Sequence, residues 1–123
     1  MVYTVCIGSN EHPQANLAFA RRRLSECFPG IRFSKEEETE PLFFRRRVLF
    51  SNQLARFSSE LTRQEVCLCL KGIEREAGRK AEEKQREIVR LDIDLLACDG
   101  QVCRPDDWAR DYVRRGLSEL DRL

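Results

Sequence analysis

The sequence predicts an α+β chain, an antiparallel sheet carrying helices on one face, and three observations predict it. Short apolar runs suited to strands recur at Met1 to Ile7, Val48 to Phe57 and Val89 to Leu96. Between them lie stretches of helical period, Leu17, Ala20, Leu24 and Phe28 in the first and Val66, Cys69, Leu70, Ile73 and Ala77 in the second. Turn-forming residues separate them at Gly8-Ser9-Asn10, Pro29-Gly30, Gly78 and Asp99-Gly100. At 123 residues the chain fits one domain, spanning residues 1–123, with enough length to bury its own core.

The first strand is rich in Val, Tyr, Thr and Ile and reads as buried. Pro13 suits the opening of the first helix, whose missing donor costs nothing there, and Pro29-Gly30 ends it. Ile31 to Ser34 alternates as a second strand. The segment from Glu36 to Arg47 has no clear period and reads as a loop, in which Phe43 and Phe44 either tuck back onto the core, the safer expectation, or meet a ligand. Val48, Phe50, Asn52 and Leu54 share one face of the next strand. Asn52 is the anomaly on that face, because an amide among apolar neighbours needs either loop backbone or a planar polar ligand to bond.

Thr62-Arg63-Gln64-Glu65 is a capping box and opens the second helix, which Gly78 stops. Arg79 to Glu87 is almost wholly charged and reads as a mobile surface loop or a frayed helical extension. Gln101 to Cys103 suits a short return strand. From Pro105, with Asp106 or Asp107 as N-cap, a last helix presents Val113, Leu117 and Leu120, and Gly116 weakens its middle. The order β-α-β-β-α-β plus a C-terminal helix is the ferredoxin-like arrangement.

The chemistry concentrates in Arg90-Leu91-Asp92-Ile93-Asp94-Leu95-Leu96. At strand period Val89, Leu91, Ile93 and Leu95 fall on one face, while Asp92 and Asp94 share the other, roughly 6.6 Å apart along the chain. Two carboxylates so close raise each other's proton affinity unless a divalent cation or an arginine cluster sits between them. An edge strand charged against aggregation is the alternative.

Composition narrows the remaining classes. With 22 basic and 21 acidic residues the net charge is +1, which speaks against a general nucleic-acid binder. No apolar run of about 18 residues and no leader-like start are present, so the expectation is a cytoplasmic protein without a membrane partner. Cys6, Cys67, Cys69 and Cys98 sit in apolar segments as small hydrophobes, and on a helix Cys67 and Cys69 point about 200° apart. With His12 the only histidine, no zinc site is expected.

Several stretches together resemble the 6-hydroxymethyl-7,8-dihydropterin pyrophosphokinase family: Ile7-Gly8-Ser9-Asn10, Thr39-x-Pro41-Leu42, Phe50-x-Asn52, Glu74-x-x-x-Gly78-Arg79, Leu91-Asp92-Ile93-Asp94-Leu95-Leu96, and Arg110-x-Tyr112 followed by Gly116-Leu117-x-Glu119. The resemblance implies transfer of pyrophosphate from ATP to the pterin hydroxymethyl group in folate synthesis, with pterin and ATP as small-molecule partners. It implies that Asp92 and Asp94 hold two Mg²⁺ ions on the ATP phosphates and align the acceptor oxygen, and that Arg79 acts in catalysis as well as nucleotide binding. Phe50 and Tyr112 would clamp the pterin, Asn52 would bond its edge, the Thr39, Pro41 and Leu42 backbone would close the rest, and Gly8 would admit close approach. Glu74, Arg90 and Arg110 would complete the nucleotide contacts.

The chain departs from the family where the catalytic lid is expected. Ala81 stands where a second arginine follows Gly78-Arg79, Arg86 where a tryptophan precedes Asp92 by six, and Val89 where an arginine precedes it by three. A histidine near the ATP is missing from the shortened segment before Arg110. Arg86 or Arg90 would supply the lost charge in an enzyme. In the alternative reading, a noncatalytic module keeps the pterin- or nucleotide-shaped pocket behind a rebuilt lid.

Overall fold

β1 (Val2–Ser9) is the central strand, as its nearly continuous burial requires, since only a strand covered on both faces and both edges can bury successive residues. The computed structural model describes residues 1–123. On one side β1 pairs antiparallel with β4 (Phe50–Ser58), and on the other with β5 (Asp92–Cys98). β6 (Gln101–Val102) extends β5 only at Ala97 and Cys98, so β5 has no strand partner on its outer edge from Asp92 to Leu96. β2 (Arg32–Phe33) and β3 (Glu37–Thr39) follow one another along the outer edge of β4. No helix is long and apolar enough to cross a membrane.

Helices cover both faces. Against Tyr3, Val5, Ile7, Ile93 and Leu95 lie α1 (Pro13–Cys27), through Leu17, Ala20 and Leu24, and α2 (Arg63–Glu76), through Val66, Leu70 and Ile73. The alternate residues Cys6, Leu54 and Leu96 form a second, smaller core with Tyr112, Val113, Leu117 and Leu120 of α4 (Asp111–Asp121). Leu95 and Leu96 thus serve different cores. Beyond them the β1–β5 register shifts between Thr4 and Val5, which returns Cys98 to the face of Leu95.

Most predicted elements form as expected, the Thr62/Glu65 capping box included. Four differences have local causes. β3 lies inside the stretch expected as a loop, because the outer edge of β4 from Phe50 to Asn52 needs a partner that charged residues on an exposed edge supply without aggregation risk. Phe43 does not tuck back: it is 100% exposed at a left-handed φ of 63°. The segment from Arg79 to Glu87 is neither a frayed helix nor a free loop but contains a 3-10 turn at Ala81–Arg86. Asn10 pins the chain just beyond that turn, donating from Nδ2 to the Glu87 carbonyl and accepting from Val89 N–H at 2.7 Å. The last helix is two, α3 (Pro105–Trp108) and α4, and Arg104 rather than Asp106 or Asp107 precedes the first turn.

Gly116 earns its place by close approach rather than by flexibility. A Cβ there would stand 2.7 Å from Leu54 Cδ1, so a side chain would push α4 off β4. Gly116→Ala gains about 1 kcal/mol of helix propensity and loses roughly 1–3 kcal/mol to overpacking. The expected net result is a melting temperature lowered by a few degrees, read by thermal denaturation.

Candidate active site

Two cavities flank the strand that carries the paired acids. An open groove of about 780 Å³ runs between α2 and the unpaired edge of β5, with Leu70 and Ile93 at its floor and Arg63, Lys71, Arg75 and Arg79 among its cations. A narrower cleft of about 370 Å³ lies on the α4 side, walled by Phe44, Phe50 and Tyr112. Gly8, Thr39, Pro41, Leu42, Asn52 and Arg110 also line it. Three side chains line both: Asp92, Asp94 and Arg104. The groove has the charge for a polyanion, and the cleft has the shape and aromatic walls for a flat ring.

The acids are held in unequal states. Burial pushes Asp94 up to about 8, and its hydrogen bond to Asp92 and the neighbouring negative charge push in the same direction. Burial also pushes Asp92 up, but the bond from Asp94 and the Arg79 guanidinium outweigh it and hold Asp92 below the usual carboxylate range. Asp94 is therefore the more basic of the two acids and Asp92 the more acidic. Asp92 Oδ1 accepts from Arg79 Nη1 at 2.9 Å, and Glu74 Oε1 lies 3.2 Å from the same nitrogen. The other Glu74 oxygen accepts from the backbone N–H of Ile93 at 2.7 Å, between the two aspartates. Burial pushes the Glu74 carboxyl up, opposed by that N–H. Glu74 thus reaches from α2 to fix both the strand and the arginine.

In the cleft, Asn52 Nδ2 donates to Thr39 Oγ1 at 2.7 Å and more weakly to the Glu37 carbonyl at 3.4 Å. Both readings of Asn52 meet here: its amide nitrogen bonds two residues of β3, within the stretch expected as a loop, while its side chain lines the cleft. A Cβ on Gly8 would lie 3.3 Å from Asn52 Oδ1, so glycine preserves room beside the amide. The Phe44 ring tilts against Phe50 with centroids 5.6 Å apart. Arg110 lies over the Tyr112 ring, 4.6 Å from its centroid, and the Tyr112 hydroxyl is 3.6 Å from Cys6 Sγ. Burial raises both of these groups, the Cys6 thiol to about 12, so neither ionises near neutrality.

Arg90 is the candidate that lies apart. A strand continued back to Arg90 would put its side chain with that of Asp92, but β5 begins only at Asp92, and Arg90 Nε instead donates to the buried Glu83 carboxylate at 2.9 Å, outside both cavities. Arg104 is a residue whose place at the site sequence reasoning did not single out, whereas Phe44, which the sequence left between core and ligand, walls the cleft. Asn10 stood in the first turn and in the Ile7-Gly8-Ser9-Asn10 stretch without a role of its own, and Arg104 only beside Pro105. No group of three or more His, Cys, Asp or Glu side chains is arranged to hold a metal. Two carboxylates without nitrogen or sulfur donors suit a hard cation that takes its remaining oxygens from a substrate.

Paired carboxylates at the meeting point of a basic groove and an aromatic cleft are the arrangement of an enzyme that moves an anionic group from one bound molecule to another. The family described as 7,8-dihydro-6-hydroxymethylpterin-pyrophosphokinase matches residues 4–122, and the chain belongs to it. Proteins named 2-amino-4-hydroxy-6-hydroxymethyldihydropteridine pyrophosphokinase from two strains of Porphyromonas gingivalis are 29% identical over 127 aligned positions, covering 93% of this chain and 86% of each relative. The family's reaction is transfer of pyrophosphate from ATP to hydroxymethyldihydropterin, a step of folate biosynthesis.

Proposed function

We propose that this chain carries out that transfer with ATP in the groove and the pterin in the cleft, the hydroxymethyl oxygen meeting the β-phosphorus beside Asp92 and Asp94. The observation that carries the reading is that the two cavities meet at this acidic pair. Phosphoryl-type transfer asks a protein chiefly to position two substrates and neutralise charge, and a shared wall does the first.

Asp92 and Asp94 would hold Mg²⁺, two ions in the full complex, against the phosphate oxygens. Bound there, Mg²⁺ neutralises the polyphosphate and makes the β-phosphorus more electrophilic. Arg79 steadies Asp92 from the groove side and contacts phosphate, with Glu74 holding it in place. Arg110 brings positive charge to the cleft mouth. Phe50 and Tyr112 face the pterin, and Asn52 accepts from its polar edge. The cleft wall from Thr39 to Leu42 and the gap at Gly8 complete the fit.

A pinned turn in place of an open lid favours a second reading, the noncatalytic module. Glu87 accepts from the Arg45 and Arg46 backbone N–H groups at 2.9 and 3.0 Å, so two segments bordering the site are latched together. A coupled assay for AMP release with ATP, Mg²⁺ and hydroxymethyl-dihydropterin separates the two. AMP formed in step with pterin consumption supports the enzyme; tight pterin binding without AMP supports the module. Asn52→Ala is expected to raise the pterin KM by about 10- to 100-fold, the loss of one or two hydrogen bonds in a buried site, with a smaller effect on kcat. An unchanged pterin KM counts against this placement of the ring.

A further inference from the structure

We infer that Arg104 is a catalytic residue, whose guanidinium contacts the pyrophosphoryl group as it passes between the two substrates. The inference rests on the function proposed above and adds a group that the sequence motifs do not contain. Arg104 is the only cation lining both cavities, where its two companions on the shared wall are Asp92 and Asp94. A group crossing from groove to cleft passes this wall, and positive charge elsewhere faces one substrate only.

The other arginines near the path each serve one side of the shared wall or neither. Arg79 is bonded to Asp92 and Glu74 in the groove, Arg110 lies over the Tyr112 ring, and Arg90 is paired with Glu83. Arg104 is held at one end and loose at the other. Its Nε donates to Asp107 Oδ2 at 2.7 Å, while Nη1 stands 3.9 Å from Asp94 Oδ1, a contact long enough to exchange for a phosphate oxygen. The backbone is fixed on both sides. Cys103 N–H donates to the Leu96 carbonyl at 2.7 Å, and Pro105 keeps Arg104 out of helical geometry at φ −132° and ψ 80°. The side chain is therefore aimed while half of it stays exposed for a ligand.

In the transfer the acceptor oxygen forms a bond to the β-phosphorus and the bond from that phosphorus to the oxygen bridging the α-phosphate breaks. AMP leaves with the electron pair, and the hydroxyl proton passes to water. Negative charge on the β-phosphate oxygens shifts during this exchange, and the Nη1 and Nη2 edge of Arg104, once Nη1 gives up its long contact with Asp94, is placed to bond them. Asp107 is a positioning residue that aims it.

The test compares wild type, Arg104→Ala, Arg104→Lys, Asp107→Asn and Asp94→Asn in the AMP-release assay with Mg²⁺, ATP and hydroxymethyl-dihydropterin. Arg104→Ala is expected to lower kcat about 100-fold, in the range found for removing one donor from a site of developing charge, with pterin KM within about twofold of wild type. Arg104→Lys recovers part of the loss, and Asp107→Asn falls between wild type and Arg104→Ala. Millimolar guanidinium chloride restores activity to Arg104→Ala and not to Asp94→Asn, a rescue that a structural role does not produce. Thermal melting checks that the half-exposed position leaves folding intact. A wild type that is active and an Asp94→Asn that is dead, together with an Arg104→Ala kcat within threefold of wild type or no guanidinium rescue, overturn the assignment and leave the pyrophosphokinase reading standing. A wild type without AMP release overturns that reading, and the role of Arg104 with it.

Discussion

Asp94→Asn is expected to lower kcat by about 1,000-fold or more while making the ligand-free protein more stable near pH 7. The loss of activity follows from the proposed metal role, since an amide binds a hard cation far more weakly than a carboxylate. The gain in stability follows from the direction of the shift. The folded carboxyl titrates at about 8 against an ordinary value of 3.8, so between those values the folded chain keeps a proton that the unfolded chain has lost. Stability at this site is greatest below the unfolded value and is lost as pH rises toward the folded one. An amide has nothing to ionise and removes that penalty. One pKa unit corresponds to about 1.4 kcal/mol. With the side chain partly exposed and Arg104 nearby, a net gain of roughly 2 kcal/mol at pH 7 to 8 is the discounted expectation, several degrees in melting temperature. Melts of both proteins at pH 5 and pH 8 check it: the gap between variant and wild type widens as pH rises. Mg²⁺ with a nonhydrolysable ATP analogue stabilises the wild type and not the variant. A variant that melts lower than wild type at pH 8 shows that the two acids do not oppose each other.

The strand bearing Asp92 and Asp94 was legible because a period of two carries both facts at once: one face apolar, the other acidic. The same period put Leu95 and Leu96 on opposite sides, and the structure sends them to different cores. The capping box at Thr62 and the turn at Asp99-Gly100 were legible for local reasons of backbone chemistry. β3 was not, since three charged or polar residues become a strand only when β4 offers an edge, and an edge is a tertiary fact. Among the candidate residues, those brought to the cavities sit on regular elements or immediately beside them, where spacing determines direction. Arg90 escaped because it precedes the strand by two residues and takes its direction from Glu83, seven residues back on a turn that has no sequence period. Arg104 escaped for the complementary reason. An arginine before a proline is ordinary in sequence, and only the meeting of two cavities beside it gives it a role.

Glu74→Ala is expected to cost both stability and turnover without touching the transferred group. Its carboxylate bonds the Ile93 N–H at 2.7 Å and lies 3.2 Å from Arg79 Nη1, so removal leaves a buried donor unpaired between Asp92 and Asp94 and frees the arginine that steadies Asp92. An unpaired buried N–H costs about 1–3 kcal/mol, and the half-exposed Arg79 adds little beyond it because water takes over its charge. A misplacement of either aspartate by a fraction of an ångström lowers transfer steeply, since both substrates are aligned by them; the expected loss in kcat/KM for ATP is about 10- to 100-fold. Glu74→Gln separates the two duties. Its amide oxygen still accepts from Ile93, so most of the stability returns, while the charge that orients Arg79 is gone and part of the catalytic loss remains. Pterin affinity, read by fluorescence or calorimetry, stays near wild type in both variants, because Glu74 lines the groove and not the cleft. If Glu74→Gln instead matched Glu74→Ala in stability, the Ile93 bond would not be what holds the strand, and the acids would owe their alignment to Arg79 alone.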